Sequence, residues 1–152
     1  MLPAQFLVLL VEDNAADVFL LREAFRTIPG RPEIHIVRDS REALDVLHGT
    51  QATMLPDLVL LDLNLPYLHG HQVLQAIKTD PRTRTIPVII FSSSGAAADI
   101  QKSYELQANS YVQKPIDLDG FFHVVSALHA FWLQAVQLPR QGPALVTNMA
   151  LS

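Results

Sequence analysis

Residues 57–62 read Asp57-Leu58-Val59-Leu60-Leu61-Asp62, an apolar run without polar interruption and closed by an acid at each end. A strand with one wet face alternates polar and apolar residues. A continuous run suits a strand covered on both faces, the condition of a parallel sheet between helix layers. Four runs of similar kind lie outward from it: Phe6 to Val11, Glu33 to Val37, Pro87 to Phe91 and Ser110 to Val112. Most of them are continuous too.

Helical periodicity fills the gaps. Val18, Leu21, Phe25 and Ile28 recur at three- and four-residue steps behind Asn14, a candidate N-cap, and Pro29-Gly30 ends that segment. Asp39 or Ser40 can cap a second helix carrying Ala43, Leu44 and Leu47. Val73, Leu74 and Ile77 mark a third, which stops before Asp80-Pro81. A fourth runs roughly from Ala97 to Gln107. The last starts at Asp117 and ends near Gln134, with Leu118, Phe121, Val125, Leu128 and Trp132 in one apolar stripe.

Strand and helix thus alternate five times. Right-handed crossovers fold that pattern into an α/β, doubly wound five-stranded parallel sheet with helices on both faces. The expected strand order is flavodoxin-like, 2-1-3-4-5, with ligands at the carboxyl ends of strands 1 and 3, where the winding reverses.

At 152 residues there is room for one domain, expected over 1–136, with 137–152 as a C-terminal tail. A hydrophobic fraction of 49% with only 17% charged residues excludes a disordered chain. Acids outnumber bases 15 to 11 and no basic run occurs, which argues against a nucleic-acid partner. Zero cysteines exclude disulfides and thiolate metal sites. Met1 to Gln5 carries no basic leader segment, and no apolar stretch approaches the ~20 residues that cross a bilayer. The expectation is a cytoplasmic protein that does not engage a membrane.

Four of the five strand ends are polar: Glu12-Asp13 after the first, Asp62 after the third, Ser92 after the fourth and Lys114-Pro115 after the fifth. The fold would bring the acids of the first and third to one mouth. Two like charges ~4 Å apart repel by about 4 kcal/mol at an effective dielectric of about 20, so a compensating cation is needed. Carboxylates with retained water suit Mg²⁺, with Mn²⁺ as a substitute, whereas zinc would want histidine or cysteine. His69-Gly70-His71 lacks the further ligands a metal site requires. A carboxylate beside such an ion can attack a phosphoryl group, and Asp62, closing a rigid strand, is the candidate nucleophile. Ser92 and Lys114 can both donate hydrogen bonds to phosphoryl oxygens.

Four segments, Leu9-Leu10-Val11-Glu12-Asp13-Asn14, Leu60-Leu61-Asp62-Leu63-Asn64-Leu65-Pro66, Ile86 to Ser92 and Tyr111-Val112-Gln113-Lys114-Pro115, resemble the response-regulator receiver family of two-component signalling. The resemblance covers about Phe6 to Gln134. It implies that Asp62 is the phosphoacceptor. It also implies a metal site of Asp13, Asp62, Glu12 through water and the backbone carbonyl of Asn64. Ser92 and Tyr111 would be the switch pair, and Lys114 would contact the phosphoryl group, with a cis bond before Pro115. Such a chain is a phospho-accepting signalling protein that assists its own Mg-dependent phosphorylation and dephosphorylation. It departs from the wider family where Glu12-Asp13 replaces an Asp-Asp pair and where Ser92 stands for a frequent threonine.

The run Val11 to Asp17, the triplet Ser92-Ser93-Ser94, the stretch Ala108 to Tyr111 and the ending Phe131-Trp132-Leu133 are similar to the stand-alone regulators paired with phytochrome histidine kinases. That likeness implies a phytochrome kinase as phosphodonor. With no output domain, the signal leaves through a downstream protein. Phe122, Val124 and Phe131 add apolar surface beyond the last helix's stripe, so a homodimer through the C-terminal helix region is expected, with Phe122, Phe131 and Trp132 at the interface. Ser94, two residues past Ser92, is shorter than the acid or amide frequent there, which implies a longer-lived aspartyl phosphate. Two rivals remain: a non-phosphorylated pseudo-receiver interaction module, against which intact Asp62 and Lys114 speak, and a haloacid-dehalogenase-type phosphatase, whose Asp-x-Asp pattern the first strand end does not supply.

Overall fold

The computed structural model describes residues 5–49 and 55–139, so residues 1–4 and the part of the expected tail from 140 onward lie outside the described residues. The elements are β1 (Leu7–Val11), α1 (Ala15–Arg26), β2 (Glu33–Val37), α2 (Ser40–His48), β3 (Leu58–Leu61), α3 (Gly70–Thr79), β4 (Val88–Ser92), α4 (Ala97–Glu105), β5 (Ser110–Gln113) and α5 (Leu118–Leu128), followed by a π-helical segment, His129–Ala135. All pairings are parallel and the sheet order is β2-β1-β3-β4-β5. This is the doubly wound flavodoxin-like sheet expected from the runs.

The continuous apolar strands feed two cores because successive side chains point to opposite faces. Leu9, Val11, Val59, Leu61, Val88 and Ile90 pack with Ala43 and Leu47 of α2 and Val73, Leu74 and Ile77 of α3. Val8, Leu10, Leu58, Leu60, Ile89 and Phe91 pack on the other face with Leu21 and Phe25 of α1 and Phe121 and Val125 of α5. The edge strands differ: β2 alternates exposed Glu33 and His35 with half-buried Ile34 and Ile36, and β5 is half-buried.

Helix starts follow side-chain caps. Asn14 accepts from Asp17 N–H, Asp39 from Glu42 N–H and Asp117 from Gly120 N–H, each three residues on. His69 caps α3 in a reciprocal box with Gln72, which gives that histidine a structural task. α4 lacks a side-chain cap bond and buries only Ser103, so apolar packing anchors it weakly.

The C-terminal helix departs from the expected stripe. After Leu128 the backbone widens into π geometry, with Val136 N–H donating to the Phe131 carbonyl five residues back. The next buried residue is therefore Leu133 instead of Trp132, which is half-buried, while Phe131 is 54% exposed. The Lys114–Pro115 bond is trans, as are all described peptide bonds, contrary to the cis bond implied by the resemblance. Trans is favoured by about 0.5–1 kcal/mol before proline, and the Pro115 ring nests against Gly120, where a Cβ would collide with it.

β3 is the sheet's centre, and Leu60 is fully buried there. Leu60→Ala should lower the unfolding free energy by about 2–5 kcal/mol, seen as a lower urea midpoint at unchanged slope.

Candidate functional site

β1 delivers Glu12 and Asp13 to the carboxyl edge, and the ladder extends one residue past the strand, Glu12 N–H donating to the Val37 carbonyl at 3.0 Å. Glu12 is buried and Asp13 exposed. β3 delivers Asp62, whose N–H donates to the Val11 carbonyl at 3.0 Å, so the two acid-bearing ends are tied to each other. One carboxylate oxygen from each of Glu12, Asp13 and Asp62 lies within 4.8 Å of the others. Asn64 is on the following loop, its N–H 3.4 Å from Asp62 Oδ1.

Lys114, just past β5, reaches into this group. Its Nζ lies 2.9 Å from Glu12 Oε2, 2.8 Å from Asp17 Oδ2 and 3.2 Å from Asp62 Oδ2. Its own backbone is pinned by an N–H bond to the Ser92 carbonyl at 2.8 Å. Burial alone would pull the ammonium's pKa down, but hydrogen bonds to Asp17 and Glu12 and the charges of Glu12 and Asp62 outweigh it, holding the pKa above its ordinary range. Glu12 is raised as well, but here the shift favours the neutral form. Burial is the largest cause and the Asp62 charge adds to it, against the opposing bond to Lys114, and its pKa is pushed up to about 7. An all-oxygen donor set of this charge fits a hard divalent cation such as Mg²⁺ or Mn²⁺.

Ser92 is fully buried at the end of β4, its Oγ accepting from Ser94 N–H at 3.2 Å. Tyr111 is half-buried and donates its hydroxyl to the Ser94 carbonyl at 2.8 Å. Ser94 itself donates to Asp99 Oδ2 at 2.5 Å. Phe122, Phe131 and Trp132 lie elsewhere, on the α5 side; the two adjacent rings meet edge to face at 5.2 Å. Phe131 and Trp132 line a shallow apolar cavity of about 320 Å³ with Val112, Val124 and Leu128. His71 joins no metal cluster among the described residues; its Nε2 is 2.9 Å from Ser103 Oγ.

Sequence reasoning missed Asp17 as a partner of Lys114. An acid in the first turn of a helix usually serves the helix dipole. The available signal was its place one turn after Asp13, facing the same mouth.

Fold and site together define a doubly wound α/β module with a cluster of three acids at the winding reversal that could hold a metal ion. Residues 8–126 match the model of the response regulator receiver domain, and the chain belongs to that family. It is 38% identical over 141 residues to the probable methanogenesis regulatory protein FilR2 of Methanothrix harundinacea, covering 91% of this chain and 90% of that protein. It is also 38% identical to the response regulator Rcp1 of Synechocystis over 135 residues, 87% of this chain and 92% of Rcp1. Among solved structures, the phosphorylated cyanobacterial phytochrome response regulator RcpA superposes with a TM-score of 0.84 at 41% identity, covering 90% of this chain and 99% of that one. The Mn²⁺-bound form of Rcp1 follows at 0.82 and 38%, covering 88% and 99%. The chain is thus a receiver-domain response regulator homologous to phytochrome-associated regulators. Among the described residues, no helix is long and apolar enough to cross a membrane.

In the metal-free protein, unfolded Glu12 ionises near its ordinary 4.5 while the folded group keeps its proton to about 7. The folded state binds more protons between these values, so stability should fall as pH rises through that window, by up to about 3 kcal/mol. Urea titrations in EDTA at pH 5 and 7.5 read the effect, and Glu12→Gln should remove this part of the slope; equal slopes in parent and variant would refute it.

Proposed function

We propose that this chain is a single-domain response regulator that accepts a phosphoryl group from the histidine of a sensor kinase onto Asp62. The observation that carries the reading is the convergence of Glu12, Asp13 and Asp62 with the Lys114 ammonium seated among them. Glu12, Asp13, Asp62 and the Asn64 carbonyl hold Mg²⁺ or Mn²⁺, which when bound neutralises charge on the phosphoryl oxygens. An Asp62 carboxylate oxygen attacks phosphorus as the bond from phosphorus to the kinase's histidine nitrogen breaks. Lys114 turns from carboxylates to a phosphoryl oxygen. No metabolite is turned over: the chain assists only the gain and loss of its own phosphoryl group.

The added oxygens draw in the Ser92 hydroxyl, and the loop after β4 follows. Tyr111 is bonded to that loop through the Ser94 carbonyl, so its ring moves with it and turns inward. α4, anchored by little apolar packing, yields readily, and the α4-β5-α5 surface changes. The Ser94 hydroxyl is engaged by Asp99, which supports a long-lived aspartyl phosphate.

The kinase is a phytochrome, in keeping with the phytochrome response regulator RcpA and the bacteriophytochrome response regulator RtBRR among the similar structures. The receiver unit spans 1–136 with 137–152 as a tail, and the protein works in the cytoplasm. Two copies pair through the C-terminal helix region, using Phe122, Phe131 and Trp132, and the signal passes to a downstream protein.

Acetyl phosphate with Mg²⁺ and a phosphorylated phytochrome kinase test the acceptor. Both should label the parent and neither should label Asp62→Asn; equal labelling of the two proteins would defeat the assignment. Light scattering tests the pairing. The double variant Phe131→Gln, Trp132→Gln should show half the mass of the parent, and an unchanged mass counts against the proposed face.

A further inference from the structure

The loop from Asp62 to Gly70 carries Asn64, and its tip is held by a neighbouring element. Tyr67 has φ +74°, and Leu68 N–H points back to the Pro66 carbonyl at 3.1 Å. That is the rare, strained form of the three-residue turn, which costs a side-chain-bearing residue energy. Such a turn persists only where its surroundings impose it.

The head of α2 does so. Ser40 is fully buried, and its hydroxyl spans the turn: it donates to the Pro66 carbonyl and accepts from Leu68 N–H, both at 2.8 Å. The next residue, Arg41, lays its guanidinium 3.4 Å above the centre of the Tyr67 ring, a cation–π cover on the outside of the same turn. At the loop's other end Gly70 N–H donates to the Leu63 carbonyl at 2.7 Å, and a Cβ on Gly70 would collide with the Asp62 carbonyl. The segment bearing Asn64 is therefore clamped at both ends. The far clamp comes from the strand-helix unit of β2 and α2, which supplies none of the acids at the mouth.

We propose that Ser40 and Arg41 are positioning residues that latch this turn and so hold the Asn64 carbonyl for the cation. The inference rests on the metal site proposed above, with that carbonyl among its ligands. The latch acts on cation affinity and leaves the carboxylates in place. Loss of an outer partner that orients a metal ligand costs about 10- to 100-fold in affinity, and one of several ligands is at stake here.

Mn²⁺ binding, read by electron paramagnetic resonance of the free ion, tests it on the full chain. Ser40→Ala should weaken Mn²⁺ binding about tenfold. Tyr67→Gly removes the strain and the stacked ring together, so it should weaken binding severalfold without lowering the urea midpoint of the metal-free protein, a split that a merely stabilising contact would not produce. Tyr67→Phe, which keeps the ring under Arg41, should bind as the parent does. Affinities equal to the parent's in both Ser40→Ala and Tyr67→Gly overturn the latch while the metal site stands. If Tyr67→Gly loses urea resistance in proportion to affinity, the latch is again overturned. A parent that binds no Mn²⁺ removes the metal site itself, and the latch with it.

Discussion

The structure turns on one ammonium group. Lys114 meets carboxylates from three elements, Glu12 beyond β1, Asp17 in α1 and Asp62 beyond β3, while its backbone is tied to β4 through Ser92. With Asp13 also at the mouth, four acids face one lysine among the described residues, and burial, with the Asp62 charge added, leaves Glu12 holding its proton toward neutral pH. Buried ion pairs add little to stability once desolvation is counted. Their value here is poise. The acids outnumber the one ammonium, and a divalent cation would answer that shortage.

The sheet explains why these groups meet. β1 and β3 are neighbours although a strand and two helices separate them in the chain, and both end at the same edge with an acid next. Because the strands are buried on both faces, their register is fixed by two independent cores, and the acids inherit that rigidity. The loops beyond are less constrained by apolar packing and rely on polar clasps, such as Ser40 on Pro66 and Leu68 or Ser94 on Asp99.

The central strands were legible from residues alone, since Leu58-Val59-Leu60-Leu61 and Val88-Ile89-Ile90-Phe91 admit hardly any other reading, and the acids closing the first and third strands followed from the winding rule. Edge strands were harder: β2 alternates because Ile34 and Ile36 pack on the core of α1 and α5 while Glu33 and His35, on its other face, are exposed. The π-helical ending was hidden because Phe131, Trp132 and Leu133 are all apolar, so periodicity could not say which one turns inward. Asp17 was masked by an ordinary role at a helix start. Ser40 escaped because its partners lie 26 and 28 residues away, a distance over which no local pattern reaches.

The π-helical ending also fixes where the protein can be watched. Trp132 is its sole tryptophan. It sits fifteen residues past Asp117, the cap of α5, hence roughly 20 Å down the helix from the acidic mouth. Its indole and the Phe131 ring meet edge to face, and it is partly buried. Tryptophan emission of this protein is thus remote from Asp62 itself and reports what reaches the far part of the last helix and Val112 of β5 beside it.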